Sequence, residues 1–128
     1  IGGAQLINPD VEAELPEIMR ISDKIVAIVD SERSDPNASI SNRITGFVEP
    51  CAKVGIDYFV LQRRATENYL TDRAVKHEMG TAFRGLQPFE LLRDAENPWS
   101  KRDNWRIARA MKLEEIDTTD LGQILKKL

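Results

Sequence analysis

The hydrophobic pattern changes period along the chain. Residues 4–7 (AQLI) form a short apolar run, and Asn8-Pro9 then suits a helix start, with Asn8 as cap and Pro9 at the first helical position. Val11, Leu15, Ile18 and Met19 follow at helical spacing, with Pro16 kinking that helix or delaying its start. Residues 24–30 (KIVAIVD) carry the run Ile25, Val26, Ile28, Val29 without alternation, which predicts a strand covered on both faces. Residues 31–39 (SERSDPNAS) are polar, with turn chemistry around Asp35-Pro36-Asn37. A helix is expected over 40–54, with Ile44, Phe47, Val48 and Cys51 on one side and Gly55 as its stop. Residues 57–62 (DYFVLQ) read as the next strand. Beyond Gln62 the spacing is helical, predicting helices near 67–79, 87–95, 101–112 and 118–127, the last with a stripe of Leu121, Ile124, Leu125 and Leu128.

Strands separated by helical crossovers imply βαβ units: an α/β fold with a parallel sheet and helices on its faces. The expected organisation is an α/β core over residues 1–70, with a helical extension over 71–128 packed on it. Three strands are few for a free-standing sheet. Together with a start at Ile1 rather than Met, this suggests a piece of a longer polypeptide with partner strands upstream.

Composition narrows the class. Hydrophobic residues make up 41% and charged residues 30%, ordinary for a globular protein. No apolar run approaches the roughly 20 residues of a membrane helix, and no signal-peptide pattern opens the chain. The single Cys51 forms no internal disulfide, which fits a reducing cytoplasm. The net charge of −3 is uneven: residues 1–62 hold 5 Lys/Arg against 10 Asp/Glu, and residues 63–128 hold 13 against 11. An acidic centre beside a more basic surface suits a protein that sets a divalent cation against a polyanion.

Candidate chemistry sits where strands end, because ligands of open α/β sheets gather at the carboxyl edge. Asp30-Ser31-Glu32-Arg33 directly follows the first clear strand. Side chains two apart in extended chain point the same way, so Asp30 and Glu32 could face one hard cation. The plain alternative is a solvated loop. Gln62-Arg63-Arg64-Ala65-Thr66-Glu67-Asn68-Tyr69-Leu70 follows the next strand, with Thr66 expected to cap a helix that starts at Glu67. If the strands are neighbours, Glu67 faces the same crevice. Arg63 and Arg64 are candidate phosphate contacts. His77 reads as a surface residue, Cys51 as a small buried one, Trp105 as core on its helix and Trp99 as packing near Pro98.

KIVAIVDSER (24–33) followed by YFVLQRRATENYL (58–70) resembles the later part of a Toprim domain, the fold shared by topoisomerases, some primases and OLD-family (overcoming-lysogenization-defect) nucleases. Asp30 matches the first acid of that fold's Asp-x-Asp pair. Glu32 stands at the second, a departure that keeps the charge and lengthens the arm. The E-N-Y-L helix start and the lysine-bearing stretch 99–112 (WSKRDNWRIARAMK) are similar to the OLD family, over roughly residues 4–128. The resemblance implies a DNA endonuclease using Mg²⁺ or Mn²⁺, with two ions held by Asp30, Glu32 and Glu67. It makes Glu67 and Lys101 catalytic and sets Arg102 beside Arg63 and Arg64 as a nucleic-acid contact. It further implies an upstream glutamate that completes the site and without which the chain is inactive, an upstream ABC-type ATPase domain or subunit, oligomerisation through other regions, and a role in defence against phage. No Gly-x-x-x-x-Gly-Lys-Ser/Thr loop occurs, so ATP binding by this chain is not expected. The rivals are a non-catalytic Toprim-like module for assembly or sensing, and a phosphatase of the haloacid-dehalogenase type with Asp30 as nucleophile.

Overall fold

A computed structural model describes residue 20 and residues 25–128. The run at 4–7 and the helix expected from Asn8, with Val11, Leu15, Ile18 and Met19, lie outside the described residues.

The fold is mixed α/β. Strand β1 (Val26–Val29) leads through the polar loop to helix α1 (Asn42–Lys53), and strand β2 (Asp57–Val60) returns parallel to β1. The Ser41 hydroxyl caps α1 by accepting the Ile44 N–H, and Gly55, at φ 78°, turns the chain out of it where a side chain would be strained. Register pairs Ile28 with Phe59 and Val29 with Val60, so each face of the two-stranded sheet is built from both strands. On one face Ala27, Val29 and Val60 pack against Ile44, Phe47 and Cys51 of α1. On the other, Ile28, Phe59 and Leu61 pack against Tyr69, Leu121 and Ile124. Both faces are apolar and both are covered, which is why the strand sequence shows no alternation.

The chain after β2 is less regular than its spacing predicts. A 3₁₀ turn (Thr66–Tyr69) is followed by helix α2 (Asp72–Met79), with a break at Leu70-Thr71 because the Thr71 hydroxyl caps α2 through the Ala74 N–H. The helix expected over 87–95 is absent; a single 3₁₀ turn (Leu92–Asp94) stands there. Pro88 lacks an N–H, and the carbonyls of Gln87 and Glu90 accept instead from the buried Asn68 amide. A 3₁₀ turn at Lys101–Asp103 runs into helix α3 (Asn104–Ala110). Helix α4 (Asp120–Lys127) closes the chain against the sheet, capped by Thr119. Its expected stripe divides: Ile124 is buried and Leu121 half-buried, while Leu125 and Leu128 are exposed. A second core gathers Leu70, Val75, Leu86, Leu92, Trp99 and Ile107. Trp99 is buried as expected. Trp105, expected in the core, is 60% exposed, because Ile107 takes the inward face of α3.

Gly122 lies where α4 crosses the chain before it. A Cβ there would run into the carbonyl of Ile116, which is backbone and cannot swing aside. Gly122→Ala is expected to cost about 2 kcal/mol through forced displacement of α4, read as a lower denaturant midpoint at unchanged slope. A midpoint equal to wild type would show that α4 yields freely.

Candidate functional site

The two acid-bearing loops meet because hydrogen bonding between the strands continues past their ends. Leu61 N–H donates to the Val29 carbonyl at 2.9 Å and Glu32 N–H to the Arg64 carbonyl at 2.8 Å. Between them Ser31, 2% exposed, donates its hydroxyl to the Arg63 carbonyl at 2.8 Å. With Ser31 turned inward, its neighbours Asp30 and Glu32 turn the other way. The stretch is not plainly extended, however. Glu32 has φ 57°, the one non-glycine residue at positive φ among the described residues. That left-handed geometry costs roughly 1–2 kcal/mol, and the Arg64 carbonyl holds it in place. Strain of this kind collects where a side chain must be aimed.

A cleft of about 380 Å³ opens at this carboxyl edge, and Asp30, Glu32 and Glu67 all line it, with Arg64, Arg93 and Lys101. Residues from four separate stretches therefore converge. Asp30 Oδ1 accepts the Thr66 N–H at 3.0 Å, which locks the first loop to the turn carrying Glu67. Thr66 is thus not the cap expected of it; the turn starts from Ala65, whose N–H the Asn68 side chain accepts at 3.1 Å. The Glu67 side chain is 8% exposed, and Lys101, 70% exposed, reaches it with Nζ 3.0 Å from Oε1. The Glu32 carboxylate leans toward Arg43, 3.4 Å away.

Burial raises the Asp30 carboxyl above the ordinary aspartate range; the Thr66 N–H opposes this, Glu67 adds to it, Lys101 lowers it and Glu32 raises it again. The acids feel one another. A carboxyl whose folded pKa is raised binds its proton more tightly folded than unfolded. Its contribution to stability is present below the unfolded pKa and lost as pH rises through the folded value. Asp30→Asn, which keeps an oxygen for Thr66, is therefore expected to raise the melting temperature at neutral pH, with the gain vanishing at acid pH. A variant no more stable than wild type at pH 7 would contradict this.

The remaining candidates separate. Arg64 lines the cleft and donates to the Arg33 carbonyl at 3.2 Å. Arg63 does not line it; its guanidinium donates to the Asn68 carbonyl at 3.0 Å and lies 4.8 Å over the Tyr69 ring. Arg102 is exposed on the turn that carries Lys101, outside the cleft. His77 is exposed and Cys51 fully buried, as expected. Sequence reasoning missed Arg93 and the 90–92 wall, which it assigned to a helix. It also missed Asp120, whose carboxylate accepts from the Gln62 N–H at 3.0 Å and the Tyr69 hydroxyl at 2.6 Å, tying α4 to the site loop.

The donors suit a hard cation in kind, since all three are carboxylates and one is buried with a lysine ammonium as its counter-charge. In arrangement they are not a finished cage. Among the described residues no group of three or more His, Cys, Asp or Glu side chains is disposed to hold a metal ion. Glu32 and Glu67 are each drawn toward a cation of the protein. No helix among the described residues is long and apolar enough to cross a membrane. No protein-family model, no characterised protein and no solved structure matches the chain.

Proposed function

We propose that the cleft is part of a metal-dependent DNA endonuclease, the Toprim part of an OLD-like nuclease that works in the cytoplasm in defence against phage. The observation that carries this reading is the convergence of Asp30, Glu32, Glu67 and Lys101, from three stretches of chain, on one cleft at the sheet's carboxyl edge. Asp30 and Glu32 would hold one Mg²⁺ or Mn²⁺ ion and Glu67 would share in a second. Bound there, the ions supply a water nucleophile at neutral pH and charge for the leaving oxygen. Lys101, released from Glu67, would place its ammonium against a phosphate oxygen, and Arg64 and Arg93 would hold flanking phosphates. The DNA, an upstream ATPase partner and self-association through other regions belong to the same reading.

In the test, the chain, alone and extended upstream of Ile1, is incubated with plasmid DNA. Nicking or cutting by the extended version is expected with Mn²⁺ and none with EDTA, while the chain alone stays inactive. The absence of a ready three-carboxylate cluster among the described residues favours a second reading, a Toprim-like module for assembly or sensing. Failure of both versions to bind Mn²⁺ would favour it over the first, and hydrolysis of p-nitrophenyl phosphate without DNA would point to a phosphatase.

A further inference from the structure

Beside the acid cleft lies a second depression of about 480 Å³, a largely apolar groove between α3 and α4 that shares Glu67 with the cleft. Leu70, Ile116 and Leu121 contribute to its lining, and so does Trp105. An indole 60% exposed on a short helix gains nothing for the core. The Arg109 guanidinium lies over the ring, 5.1 Å from its centroid, so a flat group on the opposite face would complete a cation–indole stack.

We propose that this groove seats an unpaired nucleobase on Trp105, so that the cleft's substrate is single-stranded or locally unwound nucleic acid. The assignment rests on the phosphodiester reading of the cleft and adds to it the form of the substrate. Three features select this occupant. The groove and the cleft share Glu67 as a wall, so a strand whose phosphate lies against Lys101 can bring a neighbouring base to the groove. The surrounding stretch is cationic: Lys101, Arg102, Arg106, Arg109 and Lys112 stand against Asp103 within 101–112, with Glu67 answering Lys101 and Glu78 answering Arg106 and Arg109 from outside it. Such a face attracts a polyanion and repels a second copy of itself. An apolar slot with an aromatic wall also takes a base through its π-face, which a duplex keeps covered.

Binding is measured by fluorescence anisotropy of the full chain in EDTA, using labelled oligothymidylate, a hairpin duplex of matching charge and an abasic strand. Trp105→Ala is expected to weaken oligothymidylate binding roughly 5- to 100-fold, with less than a twofold change for the duplex and the abasic strand. Trp105→Phe should retain most of the affinity. Equal losses on all three probes, or none, would overturn the proposal, as would a concentration-dependent dimer abolished by Trp105→Ala. If Trp105→Ala behaves as expected but the wild type extended upstream never cleaves, the groove stands and the nuclease reading falls. If the wild type cleaves and Trp105→Ala cleaves single strands with unchanged KM, the nuclease stands and the groove falls.

Discussion

Glu67→Gln is expected to lower metal-dependent DNA cleavage by at least about 10²–10³-fold, the loss typical when one preorganised charge-stabilising group is removed, while leaving the protein folded. The size follows from where the carboxylate sits. It is nearly buried, in the turn that Asp30 grips through the Thr66 N–H, and it faces the cleft with only Lys101 as partner among the described residues. Glutamine has the same shape and keeps the packing, but it cannot carry the charge that draws a divalent cation. The stability change should be small. The ion pair is open to water on the lysine side, which holds its contribution to about 1 kcal/mol or less, and relief of a desolvated carboxylate offsets part of that. Lys101→Met provides the contrast. It leaves Glu67 buried and unpaired, so it should lower the melting temperature in EDTA and recover it when Mn²⁺ is added. Cleavage by Glu67→Gln at the wild-type rate would remove the residue from the mechanism, and a Lys101→Met variant whose stability ignores Mn²⁺ would show that no ion reaches Glu67.

The strand regions were legible because their hydrophobic periods have one physical cause each. An unbroken β-branched run means a strand covered on both faces, and α1 and α4 do cover β1. The meeting of Asp30 with Glu67 was legible as well, since parallel neighbours place both loops at one edge. Legibility failed where side chains took over backbone bonding. Residues 87–95 have helical spacing, but Asn68 claims the two carbonyls a helix would have used. Thr66 and Thr71 are equally good caps in sequence; Asp30 engages the first N–H and leaves the α-helical start to Thr71. The left-handed Glu32 has no sequence signal, because it follows from a carbonyl 32 residues away. The inward reading of Trp105 fails because its helix carries two large apolar side chains, and Ile107 is the one that enters the core.

Asn68→Ala should be the most damaging single change to the fold near the site, costing about 3–5 kcal/mol. Asn68 is 1% exposed and has every main bond satisfied: Oδ1 accepts the Ala65 N–H at 3.1 Å, and Nδ2 donates to the Gln87 carbonyl at 2.7 Å and the Glu90 carbonyl at 2.8 Å. Truncation orphans one buried N–H and loosens two carbonyls, each worth roughly 1–3 kcal/mol when left unpaired. Asn68→Asp should be no milder, since a carboxylate would still accept from Ala65 but would face two carbonyl oxygens with nothing to donate. Two of these bonds, to the Gln87 and Glu90 carbonyls, join the turn carrying Glu67 to the wall carrying Arg93, so the cleft should lose its shape before the protein unfolds. Below its melting temperature Asn68→Ala is therefore expected to retain its helical circular dichroism yet lose Mn²⁺ affinity and cleavage together. Stability within about 1 kcal/mol of wild type would mean that water replaces the amide and that something else holds the two walls of the cleft together.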